Sequence, residues 1–170
     1  VFFLTLVVLL PQEVIARRTP SRGRLEFWAG ARLSGDEAII WTTAGKVLAV
    51  SASDGNILWS RKEKGGISEI VVAEGHVFVL SREGLLKCLR IGNGEEIWEA
   101  RDVSRVSSGQ YLLGAVAGSS ALARFDRETG KLIWRVNCGS IWSGPYEAGT
   151  TIVLQTYSEM LGINPKDGQV

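Results

Sequence analysis

Arg124-Phe-Asp-Arg-Glu-Thr-Gly-Lys-Leu-Ile-Trp134 decides the fold. Read alone, it is a β-hairpin. Thr129-Gly130 occupies the turn: Gly adopts a positive φ without steric cost, and the Thr hydroxyl can bond the local backbone. Leu132-Ile133-Trp134 then begins an apolar returning strand. The same eleven-residue pattern occurs at Ala49-Val-Ser-Ala-Ser-Asp-Gly-Asn-Ile-Leu-Trp59 and at Cys88-Leu-Arg-Ile-Gly-Asn-Gly-Glu-Glu-Ile-Trp98. A fourth copy, Gly162-Ile-Asn-Pro-Lys-Asp-Gly-Gln-Val170, reaches the chain end two residues before its expected Trp. The turn glycines Gly55, Gly94, Gly130 and Gly168 are spaced 39, 36 and 38 residues apart.

Working outward, each period holds two more apolar runs ahead of the hairpin. In the second period these are Ile67–Ala73 and His76–Leu80, parted by Glu74-Gly75. With Leu85–Ile91 and Glu95–Glu99 they make four strands per period, which is one propeller blade. Ala38–Thr42, Tyr111–Val116 and Thr151–Leu154 are the equivalent second strands. The expected fold is therefore all-β, a partial β-propeller of about three and a half to four four-stranded blades. Trp59, Trp98 and Trp134 recur at one repeat position, so they read as structural anchors that dock blade on blade, with Gly55, Gly94, Gly130 and Gly168 at the turns. Trp28, Trp41 and Trp142 lie off that position. Of these, Trp142, in the loop-like Gly139–Pro145, is the candidate contact residue.

Composition agrees with a turn-rich β protein that has an apolar core: 45% hydrophobic residues, 20 Gly and 6 Trp against 4 Pro. A net charge of +1 gives no electrostatic footprint for nucleic acid. The densest basic stretch, Arg17, Arg18, Arg22 and Arg24, reads as a solvated flank. Residues 1–16 read as a signal peptide, with an apolar run Val1–Leu10 too short to cross a bilayer, Pro11, and a cleavage point after Ala16. The chain lacks an initiator Met, so either its first residues are missing or Val1 comes from a non-AUG start. Residues 17–170 form the expected partial propeller, truncated at its C-terminus, with no direct membrane span. In an oxidising compartment Cys88 and Cys138 could pair, although they lie in different repeats.

Chemistry-bearing constellations are sparse. His76 is the only histidine. The carboxylate pairs Asp36-Glu37, Glu95-Glu96 and Asp126/Glu128 sit in or beside turns, where solvated charge is ordinary. The expectation is no enzyme: no catalytic, cofactor-binding or metal-binding residues, and no cofactor. Binding is expected in loops, at Arg61–Gly66, Arg101–Gln110, Gly118–Ser120 and Gly139–Gly149.

The pattern Ala-x-Asp-x-x-Thr-Gly-x-x-x-Trp resembles the tryptophan-docking motif of the quinoprotein (PQQ-like) repeat family. Residues 124–134 match it except for Arg124 at the small first position. Residues 49–59 keep Ala49, Gly55 and Trp59, with Ser51 at the Asp position, and residues 88–98 carry Arg90 there. The resemblance covers roughly residues 25–170. Three branches of that family come into view. Gly45–Arg61 and Ile67–Glu99 are similar to the first two blades of the lumenal propeller of subunit 1 of the endoplasmic reticulum (ER) membrane protein complex. That resemblance implies a scaffold on the lumenal side whose partners are other proteins, subunits of a membrane-associated complex, acting in membrane-protein insertion. The alternatives are a periplasmic propeller of bacterial outer-membrane-protein assembly and a piece of a PQQ-dependent dehydrogenase.

Overall fold

A computed structural model describes residues 28–116 and 120–170. The expected signal peptide, the basic flank and Gly118-Ser119 of the third candidate loop lie outside the described residues.

The described chain forms four antiparallel sheets in sequence order, each an up-and-down meander. Sheet 1 holds β1 (Trp28–Ser34), β2 (Glu37–Thr42), β3 (Lys46–Ser51) and β4 (Ile57–Lys62). Sheet 2 holds β5 (Ile67–Ala73), β6 (His76–Ser81), β7 (Leu86–Arg90) and β8 (Glu96–Ala100). Sheet 3 holds β9 (Val103–Ser108), β10 (Leu112–Val116), β11 (Ala121–Phe125) and β12 (Leu132–Asn137). Sheet 4 holds β13 (Ile141–Ala148), β14 (Thr151–Thr156) and β15 (Met160–Ile163). These are the blades of a β-propeller, three with four strands and one with three.

Burial follows strand position. Every residue of β6 is buried. Alternate side chains of a strand point to opposite faces, so a strand apolar throughout must be covered on both. Val77 and Val79 pack against sheet 1, whereas Phe78 and Leu80 pack against sheet 3. Three such cores join the four sheets. Ile39, Val47 and Trp59 meet Ile70 and Leu89 in the first. Leu86, Cys88 and Trp98 meet Val106 and Leu112 in the second. Leu113, Leu122 and Trp134 meet Ile152, Leu154 and Ile163 in the third. The outermost strands β4 and β12 share one pattern, with the tryptophan buried between exposed neighbours. First strands lie side by side, β1 against β5 and β5 against β9, as expected where blades converge on a common axis.

Three of the candidate loops need correction. Within Arg101–Gln110, Val103–Ser108 is the first strand of sheet 3, paired along β10. Only Val103 and Val106 bury apolar surface there, so the serine-rich remainder reads as loop. Within Gly139–Gly149, Ile141–Ala148 is the first strand of sheet 4. It absorbs Gly144-Pro145 through register shifts between Ile141 and Ser143 and between Ser143 and Tyr146. Arg61 and Lys62 belong to β4, and Glu63 is buried rather than solvated.

Candidate interaction surface

Each β3–β4-type connection has one geometry. In the third, Gly130 N donates to Asp126 O at 2.9 Å and Asp126 N to Lys131 O at 2.8 Å. The same two bonds close Ser51–Asn56, Arg90–Glu95 and Asn164–Gln169. The residue before each glycine caps the loop: Asp54, Asn93, Thr129 and Asp167 each accept the amide two residues on. The glycines are left-handed, with φ of 72° at Gly55, 69° at Gly94, 69° at Gly130 and 76° at Gly168. Asp126 Oδ1 also takes the Thr129 hydroxyl at 2.7 Å and amide at 2.8 Å. Those two bonds hold its carboxyl below the ordinary value, the side-chain bond contributing most.

Three of these loops are sockets for an indole from the preceding blade. A Cβ on Gly94 would lie 2.7 Å from the Trp59 ring, one on Gly130 2.5 Å from Trp98, and one on Gly168 2.9 Å from Trp134. Only glycine leaves room for the ring. Each indole N–H donates to the carbonyl of the loop's second residue: Trp59 to Ile91 at 2.5 Å, Trp98 to Arg127 at 2.8 Å and Trp134 to Pro165 at 2.8 Å. A buried indole N–H left unbonded would be costly, and here all three are satisfied. Cations tighten the sockets. Arg61 reaches Gly94 O at 2.7 Å, and Arg124 reaches Pro165 O at 2.7 Å. Arg127 pairs with Glu74 of sheet 2.

Charged side chains also bridge sheets 1 and 2. Lys87 Nζ lies 3.1 Å from Glu63 and 3.0 Å from Glu96, while Arg61 contacts both carboxylates. Burial pulls the Lys87 ammonium down, but its bonds to Glu96 and Glu63 outweigh that and leave it raised. Further on, Glu147 of sheet 4 accepts the amides of Gln110 at 2.7 Å and Tyr111 at 3.0 Å. The repeat pattern alone does not single out these polar bridges, because Lys87 aligns with Leu48 and Ala123, and Arg61 with Ala100 and Val136, in the sister blades.

The remaining titratable candidates do not assemble. His76, the first residue of β6, is buried beside Phe78, with Nε2 3.5 Å from Glu128. Cys88 and Cys138 are free buried thiols in separate cores. Burial pushes Cys88 up to about 12, with the Glu128 charge adding, and burial also raises Cys138. Asp36, Glu95 and Glu128 stay at their turns, Glu37 opens β2, and Glu96 opens β8, where Lys87 and Arg61 hold it. Among the described residues no three His, Cys, Asp or Glu side chains converge as a metal ion would require.

One feature breaks the repeat. Trp142 is 57% exposed and Tyr157 is 72% exposed, and their rings meet edge to face at 5.0 Å and 74°. Ile141 pairs with Thr156 as Ile67 does with Ser81, Val103 with Val116 and Trp28 with Thr42. Trp142 is therefore the counterpart of Ala29, Ser68 and Ser104, all exposed, at the residue each first strand bulges or skips. Tyr157 is the counterpart of Thr43 and Arg82, also exposed. The position faces water even in blades that another blade covers, so the aromatic corner lies on the disc's end face and not between blades. Tyr157 was not among the sequence candidates, and only its departure from the small or polar residue of sister blades marks it.

The family model described as outer membrane protein assembly factor BamB matches the chain over residues 21–110 and 43–170. The chain belongs to this BamB-type PQQ-like repeat family. Among solved structures, BamB from Moraxella catarrhalis is similar at 20% identity with a TM-score of 0.63, over 76% of this chain and 43% of that one. The chain thus spans less than half of that BamB. The computationally designed Ika4 protein matches at 12% identity and a TM-score of 0.67, over 84% of this chain and 93% of that one. Quinohemoprotein alcohol dehydrogenase from Comamonas testosteroni matches at 13% identity and a TM-score of 0.60, over 82% and 33%. At these identities the likeness is one of fold. No curated protein sequence matches the chain. Among the described residues, no helix is long and apolar enough to cross a membrane.

Proposed function

We propose that the BamB-type propeller of this chain is a non-catalytic scaffold that holds partner proteins on the extracytoplasmic side of a membrane. The observation that carries the reading is a division of labour among its side chains. The repeat tryptophans, the turn glycines Gly94, Gly130 and Gly168 and half of the described ion pairs are engaged between blades. The Trp142–Tyr157 corner is large, apolar, exposed and unused by the blade. A propeller whose blades interlock and which, among the described residues, carries one such corner is suited to presenting a contact, not to moving protons. The finer setting we favour is the ER lumen, as part of an assembly like the ER membrane protein complex that inserts membrane proteins. Family membership supports a bacterial periplasmic assembly role as the alternative.

The quinohemoprotein likeness raises a second reading, a piece of a PQQ-dependent dehydrogenase. The described residues do not fit the cation that such chemistry uses, since no acidic group of three converges. The test uses the full-length protein in native extracts. The scaffold reading expects it to migrate in an assembly heavier than one chain, without dye-linked alcohol oxidation when PQQ and Ca²⁺ are added. A lone chain, or oxidation activity gained with PQQ, would overturn it.

A further inference from the structure

The three docking tryptophans each place the indole N–H on a carbonyl of the next blade. Trp142 and Tyr157 differ from them. Among the described residues neither the Trp142 N–H nor the Tyr157 hydroxyl has a hydrogen-bond partner, and both rings are more than half exposed. Sister blades build the same turn and bulge with Ala29, Ser68 or Ser104 and with Thr43 or Arg82, so folding does not call for aromatics here.

The geometry constrains what fits. Two rings at 74° form a corner that receives a compact, rigid apolar group on two sides. Beside it the Trp142 N–H can only donate and the Tyr157 hydroxyl can donate or accept, and both are open to a ligand with free carbonyls. A helical segment has its carbonyls engaged internally. A polyproline II segment has none engaged, since it makes no internal hydrogen bonds, and its rings pack on aromatic surfaces at low entropic cost. Charge adds little. Glu159 is the one ionisable side chain other than Tyr157 itself within three residues of either aromatic, and Arg105 reaches in only to the Gly144 carbonyl at 3.4 Å.

We propose that the Trp142–Tyr157 corner docks a proline-containing extended segment of a partner protein. This rests on the scaffold reading and names the chemistry of its partner. The proline ring packs into the outer angle of the two rings, and the Trp142 N–H and the Tyr157 hydroxyl donate to main-chain carbonyls of the segment.

The test is fluorescence anisotropy of a fluorescein-labelled decaproline peptide titrated with the full-length chain. The key variant combines Trp142→Ser with Tyr157→Thr, residue types that sister blades already tolerate at these positions. Wild type should bind saturably, and the double variant at least tenfold more weakly with an unchanged thermal midpoint. Trp142→Phe, which keeps a ring and loses the donor, should fall between. Absent binding, equal binding by the double variant, or binding at this corner of a chitin oligosaccharide in place of the peptide would overturn the proposal. If decaproline fails while the chain still migrates in a larger native assembly, the peptide class is wrong and the scaffold reading stands. A lone chain in the extract would remove the scaffold reading itself.

Discussion

Gly130→Ala is the sharpest perturbation of the blade-to-blade joint. The added Cβ would lie 2.5 Å from Cδ2 and 2.6 Å from Cε3 of Trp98, which belongs to the preceding blade. Gly130 also sits at a φ of 69°, which costs an L-residue roughly 1–2 kcal/mol by itself. Relieving the clash means moving the indole or the loop, and either loses the Trp98 N–H bond to Arg127 and part of the ring's burial. Removing a buried tryptophan outright costs about 3–5 kcal/mol. The substitution should therefore destabilise by about 4 kcal/mol, summing the backbone cost and most of the packing loss. Gly139→Ala supplies the control. Its φ is 75°, but nothing lies within 4 Å of its added Cβ, so only the backbone cost of about 1–2 kcal/mol applies. Urea unfolding of the full-length chain, followed by circular dichroism, reads both. With Trp98→Ala as background, Gly130→Ala should add only that backbone cost, giving a coupling of about 2–3 kcal/mol. A Gly130→Ala cost equal to that of Gly139→Ala, or a coupling near zero, would refute the socket.

Acid should loosen the third loop in a defined window. Asp126 has its carboxyl held below the ordinary value by Thr129. The stability it contributes is complete above its unfolded pKa of about 3.9 and is lost as pH falls through the lower folded value. Asp126→Asn should flatten part of the fall in thermal midpoint below about pH 4, and an unchanged acid profile would count against the assignment. Both thiols should be slow in the native protein, Cys88 most of all because burial has pushed it up to about 12. A disulfide-exchange reagent at pH 8 should label Cys88 and Cys138 only in denaturant, and labelling of the folded chain within minutes would contradict their burial.

The architecture was largely legible because the repeat states one structure several times. Trp59, Trp98 and Trp134 fall at fixed distances behind Gly55, Gly94 and Gly130, and that phase fixes hairpin, blade and order together. Inner strands were harder. Val103–Ser108 has two buried apolar residues among serines, and Ile141–Ala148 contains Gly144-Pro145, so neither carries a strong strand pattern; pairing with β10 and β14 makes them strands. The sequence also does not say which loop receives which indole. That depends on the arrangement of successive blades, which sets Trp98 over Gly130 and not over Gly94 of its own hairpin. Trp142 was visible as an outlier. Tyr157 was not, because its ring becomes notable only once register brings the β14–β15 turn beside the first strand.

Nuclear Overhauser contacts from the Trp98 indole put the interlock to its most direct trial. If successive blades interdigitate, the Trp98 ring protons will show strong cross-peaks to both α-protons of Gly130, 32 residues away. Cross-peaks confined to its own strand and to Gly94, with none to Gly130, would mean that the sheets do not join in this way.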